Sequence, residues 1–500
     1  MSEREGTLSE REEILRRQSA RESTARTYAR SLPIVPVRAR GLTIEGADGR
    51  RYLDCLSGAG SLALGHNHPV VLEAIRSVLD SGAPLHVLDL ATPVKDAFTT
   101  ELFRSLPAGL ADRAKVHFCG PAGTDAVEAA LKLTRAATGR RGLLAFTGAY
   151  HGMTAGALGA SGARGAAVPA AEAGVTRLPY PYDYRCPYGV GGAHGAQLAA
   201  RWTESLLDDP RGGVEPPAAM IVEPVQGEGG VLPAPDAWLR RMRELTAARG
   251  IPLIADEVQT GVGRTGAFWG VQHSGVTPDV MVLSKAIGGS LPLAVIVYDQ
   301  DLDVWPQGAH AGTFRGNQLA MAAGAATLKF VREEDLARHA ESLGARMLAQ
   351  LRGLAERHAC VGDVRGRGLM IGVELVDPGA DAGKAPHPAD PALASAVQAE
   401  CLARGLIVEL GGRHGAALRL LPPLTLTDEQ ASAVLSRLAD AIEAAERSAF
   451  RRGYGAARGP GAAGGARGGG AARAPAAVDA AGQAHGPPAP VPRTRDALHP

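Results

Sequence analysis

Continuous apolar runs that alternate with helical patterns are the feature that most constrains this chain of 500 residues. A strand that is buried on both faces of a parallel sheet needs apolar side chains at successive positions, and helices cover both faces of such a sheet. The middle of the chain therefore predicts an α/β core with a mainly parallel sheet. The runs lie at residues 115–118, 142–146, 218–222, 251–255 and 280–283, within a region that extends from about residue 57 to residue 330.

The sequence after residue 330 follows a different pattern. Helices and short strands are expected to alternate there, as an α+β unit appended to the core. Upstream, Asp48-Gly49 between short apolar runs predicts a tight hairpin. The elements expected after residue 330 are a helix at 336–357, a strand at 369–375, a helix at 391–404, a strand near 418–421 and a last helix at 427–447.

The segment 451–500 is rich in Gly, Ala, Pro and Arg and contains no Ile, Met, Phe or Trp. It cannot bury enough apolar surface to offset the entropy lost on ordering, so it is predicted to be a disordered tail. A contact of its arginines with RNA or with a membrane stays open as an alternative. The wide spacing of these arginines favours a solvated extension.

Charge and cysteine content narrow the class of protein. The formal net charge of +1 offers no overall field for nucleic acid. The five cysteines are scattered and form no C-x-x-C pair, which favours reduced thiols in the cytoplasm over a disulfide framework or a zinc ribbon. The N-terminus has no apolar signal region, and no window approaches the roughly 18 apolar residues of a membrane span. A soluble, cytoplasmic protein is therefore expected.

A glycine-containing turn, Gly120-Pro121-Ala122-Gly123-Thr124, follows the first apolar run and leads into a helical pattern. A helix N-terminus presents free N–H groups and the positive end of the helix dipole, which suits a phosphate. The same residues are compatible with an ordinary helix start that Thr124 caps, so this turn alone leaves both interpretations open.

Two polar residues follow later apolar runs, Asp256 after 251–255 and Lys285 after 280–283. A carboxylate that emerges from a buried strand needs a partner, which is either a pyridinium N–H or the more common N-cap or ion pair. A lysine at a strand end lies near low dielectric, which makes its amine nucleophilic, although most single lysines lie on the surface. The joint occurrence of both residues with the phosphate turn favours a site for a phosphorylated pyridine.

Two other patterns are interpreted as structural. Residues 261–266 match G-x-G-x-x-G, but later glycines and a proline prevent the long helix that a dinucleotide site needs. His66 and His68 lack a third ligand cluster, so the segment 65–69 predicts a turn before a helix and no metal site.

These residues resemble the class III pyridoxal-phosphate-dependent aminotransferases over about residues 27–445. The resemblance implies fold type I, with a seven-stranded large domain over residues 57–330 and a small domain over 331–450 to which residues 1–56 contribute. It rests on seven motifs in the family order, at residues 65–69, 122–128, 150–152, 222–230, 256–261, 284–285 and 312–317.

The resemblance implies a role for each site residue. Lys285 would hold the cofactor, pyridoxal 5'-phosphate, as a Schiff base and later move the substrate proton, and Asp256 would pair with the pyridine nitrogen. The other expected cofactor contacts are Gly123 and Thr124 at the phosphate, helped by Thr313 of the partner subunit, Tyr150 and Val258 at the ring faces, Gln259 at the phenolic oxygen, and His151 and Glu223 from the neighbouring motifs. A phosphate site shared between subunits implies an obligate homodimer.

Glu228 and Arg419 resemble the switch pair of ω-aminotransferases, in which the arginine either binds a substrate carboxylate or is neutralised by the glutamate. The segments 118–121, 180–189 and 283–323 are typical of the branch that converts glutamate and aspartate 4-semialdehyde into 2-oxoglutarate and L-2,4-diaminobutyrate. Such a product would serve a secondary-metabolite or osmolyte pathway. An ornithine or 4-aminobutyrate transaminase, an aminomutase or epimerase with the same cofactor, and a non-catalytic cofactor-binding protein are the alternatives.

Overall fold

Helices and strands alternate along the chain in a computed structural model that describes residues 9–162, 174–380 and 386–456. The helices are α1 Glu10–Arg21, α2 Tyr28–Ser31, α3 Pro69–Asp80, α4 Pro93–Ser105, α5 Ala108–Ala111, α6 Gly123–Thr138, α7 Ala155–Ala160, α8 Gly192–Asp208, α9 Asp236–Ala248, α10 Gln318–Glu333, α11 Leu336–Ala355, α12 Pro391–Ala403 and α13 Asp428–Ala456. The strands are β1 Pro36–Arg40, β2 Thr43–Gly46, β3 Arg51–Asp54, β4 Ala114–Phe118, β5 Gly142–Phe146, β6 Val175–Leu178, β7 Pro217–Val222, β8 Val225–Gln226, β9 Leu232–Pro233, β10 Leu253–Asp256, β11 Val280–Leu283, β12 Val295–Asp299, β13 Val361–Arg367, β14 Met370–Leu375, β15 Leu406–Ile407, β16 Glu409–Gly411 and β17 Ala417–Leu420. Short 3-10 turns lie at Gly270–Ser274, Lys285–Gly288 and Gln300–Leu302.

The large sheet has seven strands in the order β4-β12-β11-β10-β7-β5-β6. Strand β12 runs antiparallel to both of its neighbours, and the other pairs are parallel. All five predicted apolar runs became strands of this sheet, which confirms the predicted mainly parallel seven-stranded architecture. Strands β5, β7, β10 and β11 are buried along their whole length, as their uninterrupted apolar sequences require.

Strand β5 shows how the core is divided between the two faces of this sheet. Leu143 and Ala145 pack into one hydrophobic cluster, with α6, whereas Leu144 and Phe146 pack into another, with α8 and α9. Successive side chains of a strand point to opposite faces, so a strand between two layers of helices must be apolar throughout.

The predicted hairpin forms between β2 and β3, with Thr43 opposite Leu53. Strands β1, β2, β3 and β15 form one four-stranded sheet, in which β15 joins the chain's N-terminal and C-terminal parts by pairing parallel with β3. A second four-stranded sheet has the order β13-β14-β17-β16. The residues up to Arg451 form one compact unit, and the domain boundaries expected from the sequence stay predictions.

The last helix is longer than expected from the sequence. Helix α13 continues to Ala456, beyond the expected end at Arg447 and six residues into the segment predicted to be a tail. The rest of that segment, residues 457–500, lies outside the described residues. Among the described helices, none is both long and apolar enough to cross a membrane.

Candidate active site

A cavity of about 270 Å³ lies where the parallel strands of the large sheet end. Open α/β sheets bind ligands at this edge because several strands deliver loops to one place. The predicted site residues that line the cavity are Gly123, Thr124, Tyr150, His151, Glu223, Glu228, Asp256, Val258, Gln259 and Lys285. Of the predicted residues, Arg419 and Thr313 do not line it, and their positions are described below.

Lys285 lies two residues after the end of β11, behind Ser284, and begins a 3-10 turn with a φ of 52°. A positive φ is uncommon for a residue with a side chain and costs free energy, so the surrounding structure must hold it in place. Burial lowers the pKa of Lys285 below its usual range, and Glu228 opposes part of this shift. A lysine in this environment is more readily neutral, which a nucleophilic amine requires.

Asp256 ends β10 and is held by two hydrogen bonds. Its Oδ2 lies 2.7 Å from Nδ1 of His151, and its Oδ1 accepts from the backbone N–H of Val258 at 3.1 Å. Burial acts to lower the pKa of His151, but the hydrogen bond and charge of Asp256 outweigh it and the pKa is raised. The sequence placed His151 only as a motif member, whereas the structure places it as the residue that orients Asp256.

Glu223 joins two loops at the edge of the cavity. Its Oε1 accepts from the backbone N–H of Tyr150 and its Oε2 accepts from that of Gly227, both at 3.0 Å. Burial raises the pKa of Glu223. Each carboxylate oxygen is thus used by a backbone donor, and this carboxylate fixes the positions of the segments that carry Tyr150 and Glu228.

The glycine turn forms the start of α6, but Thr124 does not cap the helix. The helix begins at Gly123 with Ala122 at the N-cap position, so the alternative of a Thr124 cap is wrong. Instead the hydroxyl of Thr124 lies 2.7 Å from that of Thr154, on the following loop. A Cβ on Gly123 would lie 3.1 Å from Cγ1 of Val258, so this close approach favours glycine.

The cavity offers what a phosphorylated pyridine needs. Ala122, Gly123 and Thr124, at the N-terminus of α6, line the cavity, and helix geometry leaves the first N–H groups of a helix without acceptors in that helix. Within the described residues, Oε1 of Gln259 and Nε2 of His151 are buried without hydrogen-bond partners. Unsatisfied buried polar atoms are costly, so they indicate a ligand with polar groups. The residues present therefore fit pyridoxal phosphate.

Arg419 lies behind Glu228 and is buried, with no exposed side-chain surface. Both carboxylate oxygens of Glu228 accept from its Nη2 at 2.8 Å. The same Nη2 lies 2.6 Å from Oε2 of Glu409, a residue that the sequence analysis missed. Glu409 and Arg419 are direct cross-strand partners in β16 and β17. A hairpin assignment for residues 409–420 would have revealed this pair.

Thr313 lies apart from this cavity in an exposed loop, beside Phe314, whose exposed fraction is 72%. Its expected contact with the phosphate is therefore not made within one subunit. A role for Thr313 requires that a second copy of the chain present its loop to the cavity.

The segment 180–189 contributes a buried polar cluster next to the site. Glu374 of β14 accepts hydrogen bonds from the hydroxyl of Tyr182, from Nε of Arg185 at 2.5 Å and from Nη1 of Arg365 at 2.7 Å. Nε of Arg365 also donates to the backbone oxygen of Gly230 at 2.8 Å, two residues after Glu228. This branch-typical segment thus supports the loop that carries Glu228.

The glycine pattern at residues 261–266 and the histidine pattern at residues 65–69 both lie in turns beside regular elements of the fold. The glycines at 261–266 are followed by the short 3-10 turn Gly270–Ser274 and not by a long helix. His68 precedes α3, and Nε2 of His66 lies 2.8 Å from Asp54. Among residues 9–162, 174–380 and 386–456, no group of three or more potential ligands could hold a metal ion.

Comparison with known proteins agrees with this arrangement. The family model for class III aminotransferases matches residues 24–442. The chain is 55% identical over 440 residues to the diaminobutyrate–2-oxoglutarate aminotransferase of Rhizobium meliloti (strain 1021), covering 87% of this chain and 93% of that protein. It is 46% identical over 439 residues to the corresponding enzyme of Haemophilus influenzae, covering 87% and 96% of the two chains.

Among solved structures, an amine transaminase from an uncultivated Pseudomonas species, determined in its PLP-bound form, superposes with a TM-score of 0.75. It is 32% identical and covers 85% of this chain and 98% of its own. The matched family model spans most of the chain, including every residue of the site. The chain belongs to the class III aminotransferases.

Proposed function

We propose that this chain is a pyridoxal-phosphate-dependent aminotransferase that interconverts glutamate and aspartate 4-semialdehyde with 2-oxoglutarate and L-2,4-diaminobutyrate. The observation that carries the proposal is the convergence of Lys285, the Asp256–His151 pair and the Glu228–Arg419 pair at one cavity. The first two suit a pyridine cofactor, and the third suits a substrate with a variable number of carboxylates. The relatives named as diaminobutyrate–2-oxoglutarate aminotransferases support the choice of substrate.

Some residues near the cofactor would bind it, and Lys285 would both bind it and transfer a proton. Asp256, oriented by His151, would pair with the pyridine nitrogen and keep it protonated. Bound pyridoxal phosphate supplies an electron sink for the bond that breaks at the substrate carbon. Lys285 would hold the cofactor between turnovers, and its Nζ would accept the proton that leaves the substrate carbon and later return it.

The pair Glu228 and Arg419 would let one cavity accept two kinds of amine donor. Glutamate brings a carboxylate next to its reacting amine, and this group can replace Glu228 on the guanidinium. The terminal amine of diaminobutyrate has no neighbouring carboxylate, so Glu228 would then remain paired and neutralise Arg419. Without that pairing the guanidinium nitrogen that donates to both oxygens of Glu228 would lose these acceptors, which is costly for a buried donor.

We further propose an obligate homodimer with shared active sites and a cytoplasmic location. The exposed loop with Thr313 and Phe314 supports the first proposal, because a partner subunit would bury both and bring Thr313 to a phosphate. The cysteines Cys55, Cys119, Cys186, Cys360 and Cys401 are all free, which agrees with a reducing compartment.

A panel of amine donors tests the proposed reaction. Purified holoenzyme would be assayed with 2-oxoglutarate and diaminobutyrate, ornithine, lysine or 4-aminobutyrate, and kcat/KM compared. We expect diaminobutyrate to be preferred, although one methylene in chain length contributes only about 1–3 kcal/mol to such discrimination. A preference for ornithine would refute the substrate assignment. Conversion of an amino acid without any 2-oxo acid would indicate an aminomutase or epimerase instead.

A further inference from the structure

We infer that Glu409 is a specificity-determining residue that favours amine donors with a second ammonium group over donors that lack one. The inference rests on the proposed function and concerns the substrate side of the same site. Neither the motifs nor the switch pair assigns a role to Glu409, and it acts here through its charge rather than through contact with the reacting atoms.

More negative than positive charge surrounds Arg419. One guanidinium nitrogen, Nη2, faces two carboxylates, those of Glu228 and Glu409. Two carboxylates and one guanidinium leave a net negative charge next to the cavity. Only 12% of the Glu409 side chain is exposed, so water screens this charge poorly.

Glu409 and Arg419 are close to each other, but their contact is not an aligned ion pair. An ordinary cross-strand ion pair would satisfy both partners with aligned hydrogen bonds. Here Oε2 of Glu409 lies 2.6 Å from Nη2, yet it makes no aligned hydrogen bond within the described part of the chain. The donor atom is already used by both oxygens of Glu228. Glu409 is therefore surplus to the neutralisation of Arg419, and its burial needs another compensation.

The neighbouring groups identify what could supply that compensation. Burial raises the pKa of Glu409, and the positive charges of Arg419 and Lys285 oppose this effect. The side chain of Tyr28 of α2 also forms a hydrogen bond with Glu409, which favours the carboxylate, but a neutral phenol offsets no charge. Lys285 cannot serve as a lasting partner while it is engaged with the cofactor. The free ammonium of a bound diamino acid is a cation of the right sign.

The charge count predicts different effects on the two kinds of donor. Diaminobutyrate keeps an ammonium beside its carboxylate when its terminal amine reacts, whereas 4-aminobutyrate keeps only a carboxylate. Negative charge at Glu409 repels the carboxylate of both donors, but only diaminobutyrate has an ammonium whose attraction to Glu409 offsets this repulsion. Glutamate binds by placing its carboxylate on Arg419, so the same negative charge weakens the binding of glutamate.

The test is the Glu409→Gln holoenzyme with diaminobutyrate, ornithine, 4-aminobutyrate and glutamate as donors. We expect kcat/KM for diaminobutyrate and ornithine to fall about tenfold relative to that for 4-aminobutyrate, the size of a charge-assisted contact. The KM for glutamate should fall. Calorimetric titration with glutarate, an unreactive dicarboxylate, should show tighter binding to the variant, a readout independent of turnover.

Glu443→Gln is the matched control, because Glu443 forms an exposed ion pair with Arg447 on α13, and it should leave all four donors unchanged. An equal loss for every donor, or weaker glutarate binding, would overturn the inference and indicate a purely structural residue. If Glu409→Gln does not fold, Glu409→Asp is the second variant. It retains the negative charge, so it should still prefer diaminobutyrate and ornithine over 4-aminobutyrate. Loss of this preference in Glu409→Asp would overturn the inference. Failure of the unmodified enzyme to use diaminobutyrate would instead refute the proposed function.

Discussion

The two ends of the cavity are built in different ways. The cofactor end, defined by Lys285, Asp256 and His151, comes from segments that follow strands of one sheet. The substrate end, defined by Glu228, Arg419 and Glu409, joins the loop between β8 and β9 to a hairpin from the C-terminal part of the chain. The first end thus depends on one parallel sheet, and the second depends on how two separate sheets pack. Substitutions at the two ends should therefore have different consequences.

Lys285→Ala should give the largest effect, because it removes both the proposed cofactor attachment and the proposed proton acceptor. We expect transamination to fall by at least roughly a thousandfold, as for loss of a catalytic nucleophile. The absorbance of the lysine-bound cofactor should disappear as well, while the fold is retained. Transamination that persisted in Lys285→Ala would refute the proposed role of Lys285 at the cofactor end.

Asp256→Asn should follow, because an amide cannot stabilise a protonated pyridine nitrogen as a carboxylate does. We expect kcat to fall about a hundredfold or more, a typical contribution of an acid–base group. Asp301→Asn, at an exposed ion pair with Arg113, is the control and should be unchanged. If Asp256→Asn raised only KM and left kcat unchanged, the carboxylate would bind the substrate and would not stabilise the protonated pyridine nitrogen.

His151→Asn should have a smaller effect, since His151 acts on the cofactor through Asp256. We expect the dissociation constant of pyridoxal phosphate to rise about tenfold, because one charge-assisted hydrogen bond is lost. The dissociation constant can be measured from the cofactor absorbance of dialysed enzyme. The exposed His194 of α8 provides the control His194→Asn, which should bind the cofactor as before. Unchanged affinity in His151→Asn would contradict the orienting role.

Glu374→Gln tests the support of the substrate end and should mainly affect stability. Burial acts to raise the pKa of Glu374, but Arg365 and the hydrogen bonds of Tyr182 and Arg185 outweigh it, and the pKa lies below its ordinary 4.5. A lowered pKa means that the folded state prefers the carboxylate. The carboxylate therefore stabilises the fold at neutral pH, and this contribution is lost as the pH falls below 4.5.

We expect Glu374→Gln to lower the free energy of unfolding at pH 7 by about 2 kcal/mol, as a buried charge-assisted network is weakened. Urea unfolding of the holoenzyme, unmodified and variant, would measure this difference. The difference in the free energy of unfolding between the unmodified enzyme and Glu374→Gln should become smaller in acid. Glu443→Gln, at an exposed ion pair, is the control. A gap that widened as the pH fell would show that the sign of the Glu374 contribution is wrong.

The cofactor end was predictable from the sequence because the relevant signals are local. Apolar runs at 251–255 and 280–283 mark buried strands, and a polar residue directly after such a strand must lie at the sheet edge. Asp256 and Lys285 were therefore predicted at this edge from sequence order, and both line the cavity, while their roles toward the cofactor stay predictions. The strands that the pattern indicated became strands of the large sheet, with boundaries within about two residues.

The substrate end could only be described from the tertiary structure. The resemblance paired Glu228 with Arg419, but Glu409 reaches Arg419 through the register of a short hairpin, which no periodic signal in three-residue strands reveals. The same is true of Glu374, two of whose partners, Tyr182 and Arg185, lie in a loop nearly two hundred residues away in sequence. Such long-range polar contacts depend on how the sheets pack, and local propensity carries no information about that packing.

The sequence by itself determined the family, through its motifs, and the parallel sheet, because a strand that is buried on both faces has apolar residues at consecutive positions. The same pattern predicted Asp256 and Lys285 at the edge of that sheet. Only the tertiary structure decided that His151 orients Asp256, that Glu223 ties two loops together and that one arginine faces two glutamates. Those relations depend on distances between segments that are far apart along the chain. The charge balance of the substrate end, through which we propose that the amine donor is selected, is set by those distances.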